Sequence, residues 1–249
     1  MYFFGGLMSF LNFANPNRFT RFSRYAMPIT AVIGLLCIVW AMYQVWFIIP
    51  DDYQQGSTIK IMFIHVPAAW LSLWVYMLIA VSAFGTLVWK HPLADVSAKA
   101  AVLFGAAFSA ITLITGSLWG KPMWGAWWDW DARLTSMLIL FLLYLGFMAV
   151  WHAVDDPILA GKINAILALV GIALIPFIIL SVEYFNTIHQ GKSVNPFGET
   201  KLSDQFLYPL LWMTAGVTSL FLSLHMLEMR NELMLRRIRR IQILRTNKR

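Results

Sequence analysis

The chain has 249 residues, of which 59% are hydrophobic and only 12% charged, with a mean hydropathy of +0.67 and a formal net charge of +7. That balance excludes a soluble globular domain, which could not cover so much apolar surface, and indicates a polytopic membrane protein. A single cysteine, Cys37, excludes a disulfide framework, a CxxC redox couple and a cysteine-rich zinc site.

In chain order, the first thirteen residues are apolar but too few to span, and they precede Arg18, Arg21 and Arg24. A signal peptide has the opposite order, so an interfacial stub is expected. Six stretches then reach the length of about 20 residues that a hydrocarbon core demands: 27–49, 61–89, 100–118, 134–151, 163–185 and 206–227. The predicted architecture is all-α, one six-helix membrane domain over residues 1–249 with short loops. With both termini cytoplasmic, fourteen Lys and Arg fall on the inner side and five on the outer side, Lys60, Lys121, Arg133, Lys192 and Lys201. This is a strong positive-inside bias. The basic tail 230–249 mixes arginines with Leu233, Met234, Ile238, Ile241 and Leu244. It reads as an amphipathic continuation of the sixth span or as a solvated tail, facing anionic lipid and not nucleic acid.

The second span, at 29 residues, would measure about 43 Å against a core of about 30 Å, so its beginning projects above the lipid and carries His65 there. Pro67 fits a first helical turn or a kink. Small residues Gly105, Ala106, Ala107 and Ser109 in the third span suggest close helix contact. Residues 119–133, WGKPMWGAWWDWDAR, then place five tryptophans within twelve residues on the predicted outer side. Interfacial belts enrich tryptophan, but this loop also carries Lys121, Asp129, Asp131 and Arg133. Gly120, Pro122 and Gly125 suggest a turn-rich entry. Asp131 stands where it would cap the fourth helix, with Arg133 in the first turn. In the fifth span Pro176 predicts a bend. Glu183 lies near the outer end, and His189 just past it.

Sidedness separates the five histidines. His91, His152 and His225 fall on the inner side, whereas His65 and His189 share a side with the tryptophan loop. One interfacial histidine is usually an ordinary polar residue; two beside a platform of indoles suggest more. Haem iron takes axial imidazoles, the macrocycle has two wide apolar faces, and its propionates want cationic or hydrogen-bonding partners. The chain has no CxxCH sequence, so any haem would be held without thioether bonds. Arg133 could pair with a propionate or form a local ion pair.

The block WGKPMWGAWWDWDARLTS resembles the tryptophan-rich "WWD" signature, WGxxWxWDxRLT, of haem-handling proteins of cytochrome c maturation. With six spans, the signature between the third and fourth, HVPAAW at 65–70 and VEYFNTIHQG at 182–191, the chain is similar to the CcmC family of bacterial inner-membrane proteins over residues 25–230. Larger relatives, the CcmF and CcsA/ResC proteins, share the block but typically have more spans. The resemblance implies that His65 and His189 are the axial ligands of a transferable haem b. It makes Trp119, Trp124, Trp127, Trp128 and Trp130 the platform, with Asp131 and Arg133 beside it. It further implies delivery of haem at the periplasmic face to the haem chaperone CcmE, alongside the ABC transporter subunits CcmA and CcmB and the small protein CcmD. No nucleophile and base share one face and no glycine-rich phosphate loop is present, so a non-enzymatic role is expected. The alternative is a permease that moves haem or another solute through or along the bundle.

Overall fold

The computed structural model describes residues 15–185, 187–189, 191, 194 and 200–246. The expected interfacial stub and the last three residues of the basic tail lie outside that set. The described residues are all-helical apart from one isolated bridge between Asp52 and Gly56. Helix α1 is Pro16–Phe47, opened by the Asn15 side chain, which accepts from the Asn17 N–H at 2.9 Å, and by proline at the first helical position. A 3-10 turn, Ser57–Ile61, runs into α2, Met62–Leu87. Then follow α3, Ala94–Trp124; α4, Ala132–Ala153; α5, Pro157–Gly171; α6, Leu174–Tyr184; and α7, Asp204–Thr246. Helices α5 and α6 together make one span, so among the described residues six segments are long and apolar enough to cross a membrane.

The fifth span breaks at Ile172 and Ala173, four residues before Pro176. Proline has no N–H to give to the carbonyl four residues back. The Ile172 carbonyl accepts instead from the Ile175 N–H at 3.1 Å, a tighter turn that separates α5 from α6. Sequence reasoning expected Pro176 to bend this helix and leave a carbonyl without its usual donor, and the break falls at that carbonyl.

Helices α1 and α7 cross with their backbones in contact. A Cβ on Gly34 would lie 2.9 Å from the Gly216 carbonyl oxygen, and one on Gly216 2.9 Å from the Ile38 nitrogen, so only glycine fits both positions. The centre of the bundle is filled by Val75, Tyr76, Leu140, Tyr144, Phe147 and Ile178. Each tyrosine hydroxyl donates to a carbonyl of another helix, Tyr144 to Ser72 at 2.6 Å and Tyr76 to Ala168 at 3.0 Å. Buried phenols are thereby satisfied while α2 is tied to α4 and α5.

The two ends of the bundle differ in chemistry. At one, Glu232 of α7 takes Lys99 at 2.8 Å and Arg236 at 2.7 Å, and Arg236 also reaches Asp95 at 2.6 Å. Ser97 and His225 meet 3.2 Å apart beside them. This cluster binds α7 to α3 beyond the apolar stretch, and α7 then continues with exposed residues to Thr246. At 43 residues it measures about 65 Å, twice the hydrocarbon thickness. At the opposite end Val45, Ile49, Ile59, Met62, Phe63, Phe206 and Leu210 pack together with Trp119 against them. That cluster gathers the end of α1 and the starts of α2 and α7 into a base for the loops above it.

Candidate functional site

His65 lies in the first turns of α2, with 9% of its surface exposed. Three residues on one face of α3 hold it. Thr115 Oγ1 stands 3.0 Å from His65 Nδ1, and Trp119 meets the imidazole edge-on with ring centres 5.7 Å apart. Gly116 leaves the room the ring occupies, since a Cβ there would lie 3.1 Å from His65 Cε1. Spacings of three and four place such residues on adjacent turns of a helix. Trp119 is fixed in turn by its Nε1–H, which donates to Gln55 Oε1 at 2.9 Å.

His189 comes from the segment after α6. Its backbone N–H donates to Thr187 Oγ1 at 3.0 Å, and the Thr187 hydroxyl donates to Asp131 Oδ2. Asp131 is the N-cap of α4, its Oδ1 accepting from the Leu134 N–H at 2.7 Å. One carboxylate therefore starts α4 and tethers the segment that carries His189. Trp124 packs against the His189 ring at 6.2 Å.

The two imidazoles stand with ring centres 6.5 Å apart and planes inclined by 32°. Metal–imidazole bonds of about 2 Å on opposite sides of one ion, plus about 1.1 Å from each nitrogen to its ring centre, give about 6 Å. The separation would allow both imidazoles to hold one metal ion between them. Among the described residues no group of three or more His, Cys, Asp and Glu is placed to hold a metal. A porphyrin would bring four nitrogen donors of its own to a metal held by two imidazoles.

Two cavities meet at the pair. One cavity, with an empty volume of about 890 Å³ including its open mouth, is walled by α2, α3 and α4 and reaches Leu73, Leu113 and Met137. The other, about 750 Å³ on the same measure, runs toward Met62, Val182, Val194, Leu202 and Leu210. They share His65, Ala69, Trp70, Trp119, Arg133 and His189, so the histidine pair sits at their junction. Two donors suit anionic edge groups. Arg133 donates to the Ile178 carbonyl at 2.6 Å and lines both cavities, and Trp128 Nε1 is buried beside the first with no acceptor among the described residues. An iron porphyrin with two carboxylates fits this donor set: imidazoles for the metal, apolar walls for the ring, and a guanidinium and an indole N–H for the carboxylates.

The tryptophan block is arranged differently from its sequence-level description. Residues 119–124 still belong to α3 and residues 132–133 already to α4, leaving a loop of 125–131 instead of 119–133. Gly125 ends α3 with φ +76°, its N–H bonded to the Lys121 carbonyl at 3.0 Å; Gly120 and Pro122 are helical. Of the five tryptophans, Trp119, Trp124 and Trp128 line the first cavity, whereas Trp127 and Trp130, 56% and 75% exposed, face outward and line neither. Asp131 also lines neither cavity and acts on the site through Thr187. Glu183 is exposed in the last turns of α6. Gln55, Thr115, Thr187 and Met123 were not among the sequence candidates. Only Thr187, two residues before His189, had a local signal.

A family model described as "CcmC: Heme exporter protein C" matches residues 9–244. Among curated proteins, the chain is similar to heme exporter protein C of Bradyrhizobium diazoefficiens, 51% identical over 241 residues, covering 97% of this chain and 91% of that protein. The protein of the same name from Paracoccus denitrificans is 40% identical over 233 residues, covering 93% and 96%. That of Escherichia coli K12 is 40% identical over 227 residues, covering 91% of each chain.

Proposed function

Since the chain belongs to the heme exporter protein C family, we propose that it binds a b-type haem non-covalently at the outer face of the bacterial inner membrane and hands it to the periplasmic chaperone CcmE for cytochrome c maturation. His65 and His189 are the axial ligands, Arg133 and Trp128 take the propionates, and Trp119 and Trp124 hold the two imidazoles in place. The carrying observation is the histidine pair, 6.5 Å apart at the junction of two cavities. Both termini face the cytoplasm and the 125–131 loop faces the periplasm, a sidedness supported by the distribution of Lys and Arg. CcmA, CcmB and CcmD are the proposed assembly partners, and the chain is a carrier and not an enzyme. A permease route through the bundle has less support, because its centre is filled by fully buried Tyr76, Tyr144, Phe147 and Leu140.

The test is the visible spectrum of the detergent-purified chain, reconstituted with haem, for the wild type, His65→Ala and His189→Ala. Low-spin bis-imidazole bands are expected in the wild type, replaced by high-spin bands or lost in each variant. Wild-type spectra in both variants would remove the ligand assignment.

A further inference from the structure

His65 meets two acceptors of α3 outside the tryptophan block, the Thr115 hydroxyl and the Thr112 backbone carbonyl. Thr115 Oγ1 lies 2.6 Å from the Ile111 carbonyl one turn back in α3 and 3.4 Å from that of Thr112. A hydroxyl has one proton, and a carbonyl oxygen can only accept it. That proton is therefore committed to the helix backbone, and the oxygen offers His65 Nδ1 a lone pair at 3.0 Å. A hydrogen bond across this gap needs the proton on Nδ1, which leaves the Nε2 lone pair bare. Trp119 packed on the ring and Gly116 beneath it then fix the direction in which Nε2 points.

We propose that Thr115 is the positioning residue for the His65 ligand, holding the imidazole in the Nδ1–H tautomer and aiming Nε2 at the iron. This rests on the reading of His65 as an axial ligand. A metal-bound histidine whose other nitrogen donates to a fixed acceptor is oriented and made a stronger electron donor, and loss of that partner typically costs about 10–100-fold in affinity. The helix tolerates the change: valine matches threonine in shape and branching, and the lost Thr115–Ile111 bond is an accessory to the helix ladder.

The experiment compares wild type, Thr115→Val, Thr115→Ser and His65→Ala as purified, haem-reconstituted chains. It records spin state, midpoint potential and the rate of haem transfer to apomyoglobin, with a thermal melt for each. Thr115→Val is expected to release haem about 10–100-fold faster, to show a growing high-spin fraction, and to raise the midpoint potential because a less basic imidazole stabilises ferric iron less. Thr115→Ser, which keeps the oxygen, should stay close to wild type. Wild-type rate, spin state and potential in Thr115→Val, with His65→Ala still losing the low-spin bands, would overturn the role of Thr115 while keeping His65 as a ligand. An equal loss in the serine and valine variants would overturn it too, since the oxygen would not be the determinant. A wild-type spectrum in His65→Ala would instead sink the ligand reading itself.

Discussion

Gly105→Ala tests how tightly the centre of the bundle is fixed beneath the site. A Cβ at this position of α3 would overlap the Tyr144 ring of α4 and lie 2.6 Å from its hydroxyl oxygen. The ring has nowhere to go. It is fully buried, packed edge-on against Tyr76 at 6.0 Å and Phe147 at 6.2 Å, and its hydroxyl is bonded to the Ser72 carbonyl at 2.6 Å. Overpacking typically costs about 1–3 kcal/mol, and displacing the phenol loses a hydrogen bond of roughly 0.5–1.5 kcal/mol, so a loss of about 2–4 kcal/mol is expected. On the scale of roughly 2–4 °C per kcal/mol for chains of this size, thermal unfolding in detergent followed by circular dichroism should shift down by about 5–15 °C. Gly146→Ala is the control, because no atom lies within 4 Å of its Cβ position. It should be neutral, or stabilising by up to about 1 kcal/mol through helix propensity. Combining Gly105→Ala with Tyr144→Leu should cost less than the sum of the two single changes, with a coupling of about 1 kcal/mol or more. If Gly105→Ala melts with Gly146→Ala, the packing argument is wrong.

Three further perturbations probe the ends of the bundle. Glu232→Gln leaves Lys99 and Arg236 facing one another without their shared carboxylate. Breaking a fully buried pair costs about 3–5 kcal/mol, but both cations keep about a third of their side chains exposed, so about 1–3 kcal/mol is expected from thermal melts. A Lys99→Met, Glu232→Met double variant that melts below both singles would contradict this account. Asp131→Ala removes the α4 cap, worth about 1 kcal/mol, together with the acceptor for Thr187. Hydrogen exchange should accelerate in the peptide carrying Thr187 and His189 more than in the body of α4, and equal acceleration would argue against the tether. Arg133→Gln removes the half-buried cation common to both cavities; at about 1.5–3 kcal/mol for a charged hydrogen bond, haem retention should fall roughly tenfold or more while low-spin bands persist. Unchanged retention in a transfer assay would assign Arg133 to the Ile178 carbonyl alone.

Much of the fold could be read from the chain because a bilayer permits few solutions: apolar stretches of sufficient length must be helices with internally satisfied backbones. Five of the six spans extend beyond their hydropathy limits, since a helix continues past the apolar region wherever capping or packing supports it. Asn15 and Pro16 begin α1 eleven residues before the predicted start at 27, and the Glu232 cluster carries α7 past Leu227. Asp131 was legible as a cap because an N-cap acts over three residues of sequence. The same local reasoning misplaced the tryptophan loop. Gly120 and Pro122 resemble turn residues, but Trp119 is fastened to Gln55, 64 positions away, and α3 continues to the left-handed cap at Gly125. Thr115 meets His65 across 50 positions and Thr187 meets Asp131 across 56. A single sequence carries no signal for such pairs.

The distribution of polar groups follows from the cost of burying them. In the middle of the bundle the largest buried polar side chains are two tyrosines, each spending its hydroxyl on a carbonyl of a neighbouring helix. The ionic cluster and the histidine site lie at opposite ends, where water can reach some members of each set and the desolvation penalty is smaller. Placing the histidines at the rim has a second effect. A ligand sealed between helices must wait for the bundle to open, whereas this pair joins a ring carried on α2 to one carried on a segment after α6, tied down through Thr187 and Asp131. The Thr187–Asp131 tether of the His189 segment shares no residue with the hydroxyl–carbonyl bonds of Tyr76 and Tyr144 in the core. The contacts that hold the span architecture together are therefore not the contacts that bring the histidine pair together, so either set can be altered by mutation while the other stays in place.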